Sequence, residues 1–190
     1  MTRVVGGLLL LLLLGACQQR ITASVTRFYT LPPPPYNQTI TILPEPNQAG
    51  DLEFQHVASQ VAAALSSYGF RPVPPDGPPA DYVVLVHSGP AGARQQIVDF
   101  GPPFAGPWWR HPYYYPEFET YTLYAQYLEV EMLDGPTWRR KERRMVFQGR
   151  AVAETGVREF NVVLPYLVQT LFKDFPGANG QTVRVTVPVK

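Results

Sequence analysis

Apolar and polar residues alternate along this chain with two different periods, and the switches between them mark out the elements. Val25 to Leu31 has the β-branched and aromatic content of a strand, Pro32 to Pro35 stop it, and Thr39 to Leu43 alternates threonine with isoleucine or leucine as a second strand does. The period then turns helical. Asp51 stands where an N-cap belongs, Val57, Val61, Leu65 and Tyr68 recur at helical spacing, and Gly69 can end the helix in the left-handed conformation. Gln55, Ser59, Gln60 and Ser66 form its wet face. Tyr82 to Val86 is continuously apolar, the pattern of a strand buried on both faces, and Gln95 to Phe100 is expected to return beside it after Gly89-Pro90-Ala91-Gly92.

Tyr121 to Leu133 and Arg144 to Glu154 are the two longest strand candidates. In the first, Leu128, Val130 and Met132 point one way and Tyr127, Glu129 and Glu131 the other, so one face is wet. Asp134-Gly135-Pro136-Thr137 is turn chemistry, and the pair reads as an antiparallel hairpin with a long charged end. Leu164, Leu167, Val168, Leu171, Phe172 and Phe175 form a second helical stripe, which places Pro165 in the first turn and Pro176-Gly177 at the stop. Val183, Val185 and Val187 alternate with Thr182, Arg184 and Thr186 as a closing strand, and Pro188 puts it at an edge. The order predicts an α+β fold: an antiparallel sheet with two helices packed on one face and a long aromatic, proline-rich loop.

The amino-terminal segment changes the setting. Arg3, the run Leu8 to Leu14 and the small residues before Cys17 are the parts of a secretory signal, and the run is too short to span a bilayer. Leu14-Gly15-Ala16-Cys17 resembles the lipobox of bacterial lipoproteins, which implies cleavage after residue 16, a lipid on Cys17 and palmitate on the new amino terminus. Several acyl chains together anchor a protein stably. Gln18 is not the aspartate that retains such lipoproteins at the inner membrane, so the resemblance implies the periplasmic face of the outer membrane. Residues 17–23 are then a tether of at most about 20 Å, and 24–190 one domain.

Losing the signal removes Arg3 and leaves 15 basic against 15 acidic residues, a neutral domain with no charge for nucleic acid. Hydrophobic residues at 45% of the chain suffice for a core. Cys17 is the sole cysteine, so once lipidated it leaves no thiol for a disulfide, a metal or a nucleophile, and no cofactor is expected.

With the elements placed, the chain resembles the bacterial lipoprotein family called domain of unknown function 4136. The resemblance rests on Val25-Thr26-Arg27-Phe28-Tyr29-Thr30-Leu31-Pro32, Leu52-Glu53-Phe54, Tyr68-Gly69-Phe70-Arg71-Pro72-Val73, Ala80-Asp81-Tyr82-Val83-Val84, Phe147-Gln148-Gly149-Arg150-Ala151, and Phe175-Pro176-Gly177 with Thr182 to Thr186. The middle loop departs from it, with proline, tryptophan and tyrosine where related sequences carry glycine and tyrosine. The resemblance implies a fold and an address, and brings no established catalytic or binding residues.

Candidate chemistry is sparse. His56, His87 and His111 do not stand at metal-ligand spacing on one element. His87 beside Ser88 offers a base and a nucleophile, but strand neighbours point to opposite faces and no Gly-x-Ser-x-Gly elbow is present. Glu129 and Glu131 share a face about 7 Å apart, which suits either paired carboxylates or the wet side of a sheet. A small envelope hydrolase built on either pair is the alternative reading. Gly89 to Gly92 lacks the Lys and Ser/Thr of a phosphate loop and reads as a turn.

Two segments point to binding instead. Trp138 to Arg144 carries Arg139, Arg140, Lys141, Arg143 and Arg144, which suit either anionic headgroups or a solvated hairpin end. The segment 101–121 has neither regular period, and Phe104, Trp108, Trp109, His111, Tyr113, Tyr114, Tyr115 and Phe118 give it large aromatic contact area. Those rings either form a contact surface or fold back and cap the sheet. The expectation is a non-catalytic lipoprotein module, anchored to the membrane through Cys17, that meets another envelope component through this loop or a sheet edge. That component is a protein, or a glycan by ring stacking.

Overall fold

A computed structural model describes residues 19–46, 48–99 and 118–189. In chain order the elements are β1 (Arg20–Tyr29), β2 (Thr39–Ile42), α1 (Leu52–Ser66), β3 (Arg71–Pro72), β4 (Tyr82–Asp99), β5 (Phe118–Asp134), the short α2 (Gly135–Arg139), β6 (Met145–Thr155), α3 (Phe160–Phe172) and β7 (Gln181–Pro188). One seven-stranded sheet runs β3-β2-β4-β5-β6-β1-β7. It is mixed, which corrects the expectation of an antiparallel sheet. β2 pairs parallel with β3 and β4, while the other pairings are antiparallel. The reason is α1, which lies between β2 and β4 in the chain and lets them run side by side in the same direction.

The helices form where the apolar stripes recur. The Asp51 carboxylate accepts the Glu53 N–H at 2.8 Å and caps α1, whose Val57, Val61 and Leu65 are buried. Gly69 follows at φ +98°, where a Cβ would lie 2.2 Å from the Tyr36 carbonyl oxygen, so only glycine fits. In α3 the residues Val163, Leu164, Leu167, Val168 and Leu171 are buried. They share one core with Val57, Val61 and Leu65 of α1 and with the sheet face bearing Val25, Val84, Leu128, Val130 and Met132. Pro165 lies inside α3 rather than in its first turn, because the helix opens at Phe160, ahead of the apolar stripe. A second, small cluster of Val83, Leu85 and Leu133, with Leu43 and Trp138 against it, lies apart from that core. β4 is therefore buried on both faces over Val83 to Val86, as its unbroken apolar run requires.

Three local expectations are corrected. β1 opens at Arg20, and Arg20 to Ala23 pair with Pro188 to Val185, so strand replaces most of the expected tether. Gly89 to Gly92 is not a turn: β4 runs straight through it with a register shift between Pro90 and Gly92, and Gln95 to Asp99 continue the strand instead of returning. Gly89 and Gly92 take positive φ and absorb the irregularity as a bulge. Asp134 caps α2 by accepting the Thr137 N–H at 3.1 Å, with Pro136 in the first turn, so the hairpin end is a short helix. β7 is the outermost strand, as Pro188 indicated.

One buried charge holds the ends of these elements together. Arg27, in β1 and 3% exposed, donates from Nε to the Leu171 carbonyl at 2.9 Å and from Nη2 to those of Thr170 and Lys173 at 3.0 Å each. A positive charge there meets the negative end of α3 and satisfies carbonyls its last turn leaves open. Burial lowers the guanidinium pKa and nearby Asp174 opposes that shift.

Candidate interaction surface

Beyond the bulge, β4 and β5 leave the sheet as a two-stranded arm. β5 pairs with β6 only from Tyr124 onward, and β2 pairs with β4 only at Tyr82 to Val84. Residues from Arg94 to Asp99 therefore pair with Leu123 to Phe118 alone, and among the described residues neither outer edge of the arm has a strand partner. Isolated two-stranded ribbons are marginal in water, and free edges invite pairing.

Three large apolar or aromatic side chains stand exposed among the arm's polar ones. Ile97 is 68% exposed, Phe118 58% and Tyr121 45%. Ile97 stands opposite Thr120 and Asp99 opposite Phe118, which puts Ile97 and Phe118 diagonally adjacent on one face, with Tyr121 on the other. The Tyr121 hydroxyl donates to the Glu119 carboxylate, and this bond holds its pKa above the usual phenol range. At the root, Arg94 donates from Nε and Nη2 to Glu154 Oε2 at 3.0 and 2.5 Å.

Of the aromatic residues expected to form a contact surface, only Phe118 lies within the described residues. Phe104, Trp108, Trp109, His111, Tyr113, Tyr114 and Tyr115, like Cys17, lie outside them. Their segment joins Asp99 to Phe118, the two ends of the arm.

Of the residues weighed for a hydrolase, His87 stands opposite Glu129 in the β4–β5 ladder and Ser88 opposite Leu128. His87 Nδ1 lies 3.7 Å from Glu45 Oε2, whereas Ser88 lines a cleft with Gln48, Phe54 and Val57 at the start of α1. The two point to opposite faces. Glu129 sits opposite Arg150 in the ladder, accepts from Gln148 Nε2 at 2.8 Å and lies 3.7 Å from the Arg150 guanidinium, which also stacks 4.9 Å over the Tyr127 ring. Glu131 accepts from Arg143 at 2.7 Å. Each carboxylate is thus held by its own basic or amide partner on the sheet face away from the helices. His56 is on α1, 2.9 Å from Gln60.

The basic hairpin end is partly neutralised in the same way. Arg143 is held by Glu131, Arg140 reaches Glu142 at 3.3 Å, and Arg139 donates to the Ala80 carbonyl at 3.1 Å. Lys141 and Arg144 are exposed beside them. This group sits where β5 passes into β6, at the end of the sheet opposite Arg20 and opposite the arm.

Comparison with known proteins gives a family and loose structural likenesses. The family model described as Domain of unknown function (DUF4136) matches residues 20–177. No curated protein matches the chain. Among solved structures, a PelC dodecamer from Paraburkholderia phytofirmans is similar at 12% identity, with a TM-score of 0.41 over 78% of this chain and 93% of that one. A PDZ domain protein from Parabacteroides distasonis is similar at 11% identity, with a TM-score of 0.46 over 89% of this chain and 39% of that one.

Proposed function

The chain belongs to the DUF4136 family, and on that premise we propose that it is a non-catalytic binding module of the bacterial cell envelope. Lipid on Cys17 holds it to the periplasmic face of the outer membrane, and the β4–β5 arm is its binding element. The observation that carries this reading is the arm itself: Ile97, Phe118 and Tyr121 stand exposed on strand ends that pair only with each other. Exposed apolar groups on a projecting ribbon raise aggregation risk unless something covers them. The divergence of His87 from Ser88, and the engagement of Glu129 and Glu131 by Gln148, Arg150 and Arg143, support this reading over a hydrolase.

The anchor is tested by growth with labelled palmitate and membrane fractionation. Wild-type protein is expected to carry label and fractionate with the outer membrane, and Cys17→Ser to carry none, because no other cysteine exists. Wild-type protein without label would refute the anchor.

A further inference from the structure

The register of the sheet fixes which way the arm points. Ala23 pairs with Ala153, Ala153 with Gln126 and Gln126 with Pro90, so these residues form one row across β1, β6, β5 and β4. β1 and β5 are both antiparallel to β6 and so run the same way. Going toward the amino terminus from this row leads to Arg20, three residues after Cys17 in the chain, along one strand and to Phe118 along the other.

The two distances can be compared. Cys17 precedes Ala23 by six residues, a reach of at most about 22 Å in a fully extended chain. Phe118 precedes Gln126 by eight residues within a strand, a rise of about 27 Å. The arm therefore extends at least as far as the anchor can. β5 is two strands from β1, a lateral offset of only about 10 Å. An offset that small gives tilting little power to lift the arm clear of the surface that holds Cys17. The basic end of the β5–β6 hairpin, in contrast, lies on the far side of the row.

We infer that the occupant of the arm is the lipid surface itself: Ile97, Phe118 and Tyr121 rest in the interface of the membrane that holds Cys17, as a second point of contact. This rests on the lipid anchor proposed above. The chemistry fits an interface rather than a charged surface. Two aliphatic or aromatic groups and an amphipathic phenol are the side chains that partition there. Arg94 is paired with Glu154, Glu119 keeps its negative charge while accepting from the Tyr121 hydroxyl, and Asp99 stands opposite Phe118, so no excess of cations calls for anionic lipid. One chain fixes a position and two contacts fix an orientation, so the sheet stands with its basic end away from the membrane.

Full-length lipidated protein supplies the test, because Cys17 is the sole native cysteine and is blocked by lipid. Ile97→Cys, Tyr121→Cys and, as the far-end control, Lys141→Cys each receive a fluorescent label. All three positions are exposed, and an unchanged urea midpoint for each variant is the control that the fold is kept. Each protein is placed in phosphatidylcholine vesicles containing a headgroup spin-labelled lipid. Labels at 97 and 121 are expected to lose emission, and the label at 141 to keep it, with no need for anionic lipid. Protein that floats with the vesicles and carries palmitate, yet is unquenched at 97 and 121, overturns the membrane contact alone and leaves the arm to a protein or glycan partner. Equal quenching at 141 overturns the orientation. Protein that carries no palmitate and does not float overturns the anchor, and the contact with it.

Discussion

Replacing Arg27 with methionine keeps most of the side-chain volume but removes all the hydrogen bonds it gives to the last turn of α3. Three carbonyls lose a donor, those of Thr170, Leu171 and Lys173. Lys173 is exposed and its carbonyl can turn to water, whereas Thr170 and Leu171 are fully buried. Two buried acceptors left unpaired, at ~1–3 kcal/mol each, are partly offset because a guanidinium no longer has to be desolvated. A net loss of about 3 kcal/mol follows. In a domain of this size 1 kcal/mol moves the thermal midpoint by ~2–4 °C, so the expected drop is about 6–12 °C by calorimetry. A drop within about 2 °C would refute the idea that Arg27 holds this turn. A second substitution sharpens the test. Gly177 has φ +79°, and a Cβ there would lie 2.1 Å from Arg27 Nη1. Gly177→Ala should therefore cost about 1 kcal/mol or more less in the Arg27→Met background than in wild type. Additive effects would place Arg27 elsewhere.

Further outcomes follow from the core and the sheet edge. Leu171→Ala, at a site with no exposure, should lower stability by ~2–5 kcal/mol in urea unfolding, and Phe172→Ala similarly, while Lys173→Ala on the exposed side does little. Equal small effects at all three would remove α3 from the core. Asp81 accepts the Thr39 N–H at 2.7 Å and its hydroxyl at 2.8 Å, and these bonds hold its pKa below the usual carboxylate value. A depressed folded pKa gives stability that is present above the unfolded value and lost as pH falls through the folded one. The advantage of wild type over Asp81→Asn in urea midpoint should thus be constant above about pH 4 and shrink below it. An advantage that grows on acidification would contradict the pairing.

Where one residue type has one local use, the elements could be read from the chain. Asp51 caps, Val57, Val61 and Leu65 face inward, Gly69 stops, and Leu128, Val130 and Met132 alternate with glutamates, each as its spacing indicated. The misreadings fall where one residue serves two geometries. Glycine and proline build both tight turns and bulges, and Gly89 to Gly92 became a bulge because β5 offers a partner strand more than thirty residues downstream. No local pattern carries that information. Asp134-Gly135-Pro136 suits a turn and a helix start equally. The parallel pairing of β2 with β4 was signalled by the run Val83 to Val86, which is buried on both faces, but strand direction is set by the helix between them. In the candidate surface the sequence pattern marks Phe118 through its aromatic neighbours and reaches Tyr121 only as the end of the segment 101–121. It does not mark Ile97, because an apolar residue in a polar stretch stands out only when both strands project past the sheet.

That projection makes fold and binding separable, and one deletion tests it. Removing residues 95–122 and joining Arg94 to Leu123 through an Asn-Gly turn takes away the arm and leaves every strand pair of the seven-stranded sheet up to Tyr124 in place. We predict a thermal midpoint within about 4 °C of the full chain, a change near 1 kcal/mol, in lipidated protein that still floats with vesicles. A trimmed protein that unfolds or aggregates would show that the arm belongs to the core, and would contradict its role as the binding element.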